Sequence, residues 1–247
     1  MLKLLWNVYA QCYEAIVGLA PYQEMLDEVV AVLDVKPGMR VLDAGCGIGV
    51  LAERLARRCS DIEYLGVDLS SSMLARARKR QAWPPSFVFV EDDIDKVLAG
   101  DASTFDRITS VNVLWTLPDP RGTLGRMAAA LRPGGLMVHT TPRFAFRAYV
   151  IVWRHLRAQR GWRLLRALLG LPILLFAGLL NLLLVIESMI AARAPRAKQR
   201  WHQEGLLALA KDAGTTPRPV RPCYAGQGLL LVAEAGANPL PGPQERL

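Results

Sequence analysis

Histidine and cysteine are scarce in this 247-residue chain, three and four in number. Cys12, Cys46, Cys59 and Cys223 lie far apart, with no Cys-x-x-Cys pair and no histidine at ligand spacing, which excludes a zinc site and a disulfide scaffold and fits a reducing, cytosolic compartment. No metal is expected. A secretory signal is missing too: Met1-Leu-Lys-Leu-Leu-Trp6 starts an apolar run, but Gln11 and Glu14 interrupt it before a signal core forms, and it reads as a helix. The most consequential absence is of acid. From Pro120 to Ile186 there is no Asp or Glu, and the net charge of +8 is uneven. Residues 1–142 carry 15 Lys/Arg against 17 Asp/Glu, whereas residues 143–247 carry 15 against 5. The length suits one α/β domain with something added.

What is present says most at residues 40–49, Arg-Val-Leu-Asp-Ala-Gly-Cys-Gly-Ile-Gly. A short apolar strand ends at Asp43, and Gly45, Gly47 and Gly49 remove side chains so that the backbone can turn tightly and approach a ligand before a helix begins at Val50. Cys46 fits by its small size. A dinucleotide fingerprint needs a third glycine at position 50 for close packing on a pyrophosphate, and Val50 stands there, which argues against NAD and for a nucleotide without a pyrophosphate. A second strand, Tyr64 to Val67, ends at Asp68, about twenty residues on, where an acid can accept from both ribose hydroxyls, with Leu69 next to it. Alone, such a turn also fits a structural loop, and Asp43 also fits a helix-start carboxylate.

Together, Asp43-Ala-Gly45-Cys46-Gly47-Ile-Gly49 and Asp68 resemble the corresponding motifs of the class I S-adenosylmethionine-dependent methyltransferases. The resemblance covers about Val30 to Pro142 and resumes near Glu204. Phe87 to Asp93 is similar to the family's third strand, whose terminal acid holds the adenine amino group; Asp93 aligns best, Asp92 is the alternative, and Ile94 follows. Phe105 to Asp119 is similar to the fourth strand and the segment after it, which carries Asn112 and Trp115. Leu131-Arg-Pro-Gly-Gly135 matches the turn before strand five, Leu136 to Thr140. The resemblance implies an α/β, doubly wound, mostly parallel seven-stranded sheet with an antiparallel last strand, and S-adenosylmethionine bound by Asp43, Gly45, Cys46, Gly47, Gly49, Asp68, Leu69, Asp92, Asp93, Ile94 and Asn112. It also implies N-terminal helices (residues 1–29) over the site, a cofactor-binding core (30–143) and a closing segment (202–236). That segment holds a helix, Gln203 to Gly214, and an antiparallel pair, Arg218 to Cys223 with Gly228 to Ala233. The Pro-rich end, 237–247, reads as disordered.

Residues 144–201 do not belong to that core. They are too long for a structureless loop. From Phe144 to Leu169, apolar residues alternate with Arg154, Arg157, Arg163 and Arg166 at near-helical spacing, with Gly161 as a break, the pattern of an interfacial helix. Ala167 to Ile186 is uncharged and leucine-rich, including Leu174, Leu175, Leu179 and Leu183; at 1.5 Å per residue about twenty residues reach about 30 Å, a hydrocarbon core's thickness. Both flanks, the second one basic through Arg193, Arg196, Lys198 and Arg200, join one sheet, so a single crossing is excluded. A re-entrant hairpin near Gly170-Leu-Pro172 or Ala177-Gly178, helices in the interface, or a cap on the domain or a twin subunit remain. Leucine density and the acid-free arginine row favour an anionic membrane on the cytoplasmic side over nucleic acid.

An activated sulfonium methyl needs an aligned acceptor and excluded water rather than a nucleophilic side chain. An amine acceptor need only be neutral, while a phenol or an activated carbon wants a base. His139 is the best-placed base by sequence, and a packed core histidine is the bland reading. Trp115 is expected to shape the acceptor pocket. The resemblance implies that Tyr13, with Tyr9 and Tyr22, closes over cofactor and acceptor, and a core role for these amphipathic aromatics is the equal alternative. The reading is methyl transfer to a lipid-like acceptor at a membrane surface. The rivals are a soluble natural-product methyltransferase with an apolar lid and a non-catalytic nucleotide-binding membrane protein.

Overall fold

The computed structural model describes residues 2–99, 104–143, 146–191 and 202–236. Two helices open the chain, α1 (Leu2–Val17) and α2 (Ala20–Leu33), the second started by Pro21 in its first turn, where a missing N–H costs nothing. Alternating strands and helices follow: β1 (Arg40–Ala44), α3 (Val50–Arg58), β2 (Glu63–Asp68), α4 (Ser71–Lys79), β3 (Phe87–Glu91), α5 (Ile94–Leu98), β4 (Phe105–Val111), α6 (Pro120–Ala130) and β5 (Leu131–Pro142). Three insert helices come next, α7 (Ala148–Ala158), α8 (Trp162–Leu169) and α9 (Leu171–Ala191). The chain then closes with α10 (Gln203–Asp212), β6 (Thr215–Pro217), β7 (Arg221–Cys223) and β8 (Gly228–Ala235).

The strands form one sheet in the order β3-β2-β1-β4-β5-β8-β6, with β7 also on β8. β1 to β5 run parallel and β8 antiparallel to β5, as expected. The order reverses between β1 and β4, and ligands of such sheets bind outside the strand ends at that point. Both faces are covered, so neighbouring strand residues go to opposite cores: Val41 lies with α1, α2, α3, α4 and the inner side of α9, Leu42 with α5, α6 and α10.

Three boundaries differ from the expectations, each for a local reason. β3 stops at Glu91 because Asp93 leaves the sheet to accept from the Asp95 N–H at 2.9 Å and start α5. The Arg132–Gly135 turn is a bulge inside β5, whose pairing with β4 jumps from Phe105↔Leu131 to Arg107↔Leu136. The penultimate strand is split into β6 and β7, giving eight strands rather than seven; Pro217 and Pro219 interrupt it, while the Arg218 N–H still reaches Val232 O at 2.8 Å.

The insert breaks at Gly161, as expected, and again at Gly170, where α8 and the first half of α9 meet at a 41° bend. No single described helix is long and apolar enough to cross a membrane; that bent pair qualifies by length and composition. α7 docks on α2 through buried Ile151, an Arg154–Glu24 ion pair at 2.9 Å, and His155 Nδ1, which accepts the Ala20 N–H at 3.1 Å at the start of α2. Arg193, Arg196, Lys198 and Arg200, expected as the basic second flank, and the tail 237–247, expected to be disordered, lie outside the described residues.

Candidate active site

The site begins where β1 runs out. Gly45, Gly47 and Gly49 have φ of +79°, +55° and +75°, and the N–H groups of Gly45 and Cys46 both donate to Val67 O, at 2.7 and 3.0 Å, so the loop is tied to the end of β2. At Gly45 a Cβ would stand 2.3 Å from Val113 Cγ2. That glycine makes room for protein. Gly47 is different: a Cβ there would meet only the Tyr13 ring, 3.7 Å away, at ordinary contact distance, so packing against protein does not require this glycine.

Asp68 ends β2 and reaches back to the loop. Its Oδ2 accepts the Gly47 N–H at 2.9 Å and its Oδ1 the Ser70 N–H at 2.8 Å; burial raises its pKa and these two bonds oppose the rise. Each carboxylate oxygen keeps lone pairs for a ribose. Leu69, 45 % exposed, stands beside it, and Glu91 pairs with Asp68 in the sheet, which sets Asp92, Asp93 and the buried Ile94 just past the same edge. Asp92 Oδ1 accepts the Asp93 N–H at 2.7 Å, and Asp93 caps α5. Both acids therefore shape the turn.

Asp43 sits under the loop, 1 % exposed, and accepts from Tyr64 Oη at 2.7 Å. Burial pushes its pKa up to about 7 against that hydrogen bond, with the Asp68 charge adding to the rise. It is a buried support rather than a helix cap. Cys46 is buried, and its thiol is raised well above the ordinary range by burial, which agrees with a packing role.

Asn112 closes β4 in a left-handed conformation, φ +58°, fixed by its N–H to Thr140 O at 2.9 Å. Above it lies a cluster of aromatics. Tyr13 and Tyr22 share an Oη···Oη hydrogen bond of 2.9 Å, Tyr22 also hydrogen-bonds the Asn112 side chain, and Tyr224 meets the Tyr22 ring edge-on at 5.7 Å. Phe146 leans on Tyr224 at 5.9 Å. Burial raises the pKa of Tyr13, Tyr22 and Tyr224, so all three stay neutral phenols. Trp115, half-buried in the 3₁₀ turn Leu114–Thr116, packs on the same apolar cluster as Tyr13 and Leu174. Tyr224 was not foreseen. It comes from the turn between the last two strands, and its only signal is an aromatic before Ala225-Gly226.

His139 requires correction. It points with Met137 to the face covered by α6 and α10, is fully buried, and neither ring nitrogen has a hydrogen-bond partner. Burial pushes its pKa down to about 3, which makes it a neutral core residue rather than the base. Among the assigned lipid contacts, Arg154 is exposed but ion-paired with Glu24, and Leu174 is half-buried against the apolar cluster that includes Tyr13. Leu175, Leu179 and Leu183 are exposed, as are Arg157, Arg163 and Arg166. Arg157 stacks 4.9 Å over Trp153. No metal-binding cluster occurs among the described residues.

Residues 41–135 match the family profile described as a methyltransferase domain. A ubiquinone biosynthesis O-methyltransferase of Coxiella burnetii is 34 % identical over 113 residues, 46 % of this chain and 47 % of that protein. The chain therefore spans about half the length of the curated relatives it matches. Two solved structures share the fold: a SAM-dependent methyltransferase from Aquifex aeolicus (TM-score 0.62, 13 % identity, 92 % of this chain and 98 % of that one) and an S-adenosylmethionine-dependent methyltransferase from Mesorhizobium loti (0.57, 21 %, 88 % and 98 %). Over residues 41–135 the chain matches a methyltransferase domain, and its fold is that of solved S-adenosylmethionine-dependent methyltransferases. The donor set fits: an open glycine at 47, a carboxylate at the end of β2, and an acidic turn after β3.

Proposed function

We propose that the protein transfers a methyl group from S-adenosylmethionine to a hydrophobic, lipid-like acceptor at a membrane surface. The observation that carries the second half is the continuity of two features. The aromatic cover of the site packs on the inner side of α9, whose outer side holds Ile173, Leu175, Phe176 and Leu179 in water, next to an α8 that buries none of its residues. Soluble proteins rarely leave so large an apolar patch free. Exposed Arg157, Arg160, Arg163 and Arg166 flank it, as a surface for anionic lipid requires.

When bound, the cofactor supplies an electrophilic methyl. The protein's part is geometric: Gly47 and Asp68 hold the nucleoside end, and Tyr22, Tyr224 and Trp115 wall off the acceptor side and exclude water. As neutral phenols, Tyr22 and Tyr224 donate hydrogen bonds to an acceptor oxygen or nitrogen and thus orient its lone pair. An isoprenoid quinone precursor is one acceptor of this class, and the Coxiella burnetii relative is a ubiquinone biosynthesis O-methyltransferase. β5 before the insert and α10 after it belong to one domain, so an element dipping into the bilayer returns on its side of entry, here assigned to the cytoplasmic face.

A soluble methyltransferase with an apolar lid is the second reading, favoured by the burial of Ala177 and Leu180 against the domain. Incubating the protein with methyl-labelled cofactor and a total lipid extract, then identifying the product by mass spectrometry, tests the acceptor class. Label confined to water-soluble small molecules, together with recovery in the soluble fraction at high salt, would overturn the lipid reading.

A further inference from the structure

Asp43 is an anomaly for a core residue. It is a carboxylic acid 1 % exposed near the end of β1, and the hydrogen bond that holds it comes from a neutral phenol, Tyr64 Oη at 2.7 Å. A buried carboxylate is ordinarily matched by a cation, because an unmatched charge out of water is costly. Here the titratable groups around it are all acids: Tyr64 and Asp68 from β2, Cys46 from the glycine loop, Tyr22 from α2, and Tyr13 from α1, which lines the same space. Asp43 nevertheless lines the space over Gly45 and Gly47, so a molecule that fills this space meets it. S-adenosylmethionine carries a sulfonium cation, whereas its spent product, S-adenosylhomocysteine, has a neutral thioether there. The two share their nucleoside and amino-acid ends and differ by one methyl group and one positive charge.

We propose that Asp43 is the residue by which the site tells the charged donor from its spent product: it gives up a proton to solvent when S-adenosylmethionine binds and takes one back once the methyl and its charge have left. This rests on the S-adenosylmethionine reading of the site. A neighbouring cation lowers a carboxylate's pKa by about 1–3 units, so the donor stabilises the ionised form. With the neutral product in place no cation opposes burial, and the acid stays protonated. In the free protein burial holds the group at about 7, against the Tyr64 bond and with the Asp68 charge adding to the rise. Below that value the donor must expel a proton to gain the attraction, so its affinity falls as pH falls, while the affinity of the product does not.

Calorimetry of the full chain with S-adenosylmethionine and, separately, with S-adenosylhomocysteine tests this between pH 5 and 8. Wild-type affinity for the donor rises about tenfold or more across that range, and affinity for the product changes by less than about twofold. Titrations at pH 6 in buffers of different ionisation enthalpy register release of about half a proton or more with the donor and none with the product. Asp43→Asn removes this difference, and comparison with it cancels the titration of the ligands' own amino groups and of Asp68. Tyr64→Phe keeps the ring stacked on Phe87 but removes the bond that opposes burial, so the midpoint of the donor profile moves to higher pH. Parallel pH profiles for donor and product in the wild type overturn the proposal, as does an Asp43→Asn protein that keeps the wild-type difference or loses both ligands equally. If Asp43→Asn does not fold, an unmoved midpoint in Tyr64→Phe overturns it instead. Those results leave the methyltransferase reading standing. Failure of the wild type to bind either molecule at any pH removes that reading and the proposal with it.

Discussion

Replacing Asp43 by asparagine should make the protein more stable at neutral pH and less dependent on pH. The side chain is 1 % exposed, and its pKa lies at about 7 because burial disfavours the carboxylate more than Tyr64 Oη stabilises it. In the unfolded chain it titrates near 3.8. Between those values the native state keeps a proton that the unfolded state has lost, so stability falls as pH rises. The contribution is complete below the unfolded pKa and gone once pH passes the folded one. Each pH unit well inside that window costs about 1.4 kcal/mol and the slope halves at the folded pKa, so from pH 5 to pH 7 the wild type loses about 2.3 kcal/mol through this group. An asparagine oxygen accepts the same hydrogen bond from Tyr64 without titrating. Denaturant melts of both proteins at half-unit steps from pH 5 to 8 give the difference in unfolding free energy, in which all other groups cancel. That difference should move in favour of the variant by about 2–3 kcal/mol across the window. A difference that stays flat would refute the placement of Asp43 as a desolvated acid beneath the loop.

Gly45→Ala, in a left-handed backbone and with its Cβ 2.3 Å from Val113 Cγ2, should destabilise the fold by about 2–4 kcal/mol in thermal melts and abolish cofactor binding by calorimetry. His139→Leu, which removes a buried ring without hydrogen-bond partners, should leave stability unchanged or raise it by about 1 kcal/mol and leave cofactor affinity unchanged. A large loss of turnover with intact binding in that variant would restore the histidine as a base. Arg154→Ala breaks an ion pair whose side chains are about half exposed and should cost less than about 1 kcal/mol. Ile151→Ala, in the same helix but buried, should cost about 2–4 kcal/mol, read from chemical denaturation of the two variants side by side.

The glycine turn, the acid at the end of β2 and the parallel strand order were legible because each depends on residues close in sequence: a strand pattern, three glycines, a carboxylate about twenty residues on. Leu42 and Val41 alternate between the two cores as the run of apolar residues implies. The split of the penultimate strand into β6 and β7 was not read, although Pro217 and Pro219 mark it. What could not be read was the direction of side chains across elements. His139 and Thr140 are neighbours on β5, yet one enters the α6–α10 core and the other bonds Asn112 at the site. A shift of one residue in strand register would exchange them.

The sequence by itself determined the nucleotide-binding turn, the methyltransferase-like core and the charge and apolarity of the insert, because local backbone preference and side-chain periodicity act over a few residues. Only the tertiary structure decided what the insert touches. Helix faces are assigned by packing between segments far apart in the chain, and that packing turns Leu174 inward and Leu175 outward, commits Arg154 to Glu24, brings Tyr224 beside Tyr22, and sets α1 between the apolar helix and the glycine loop.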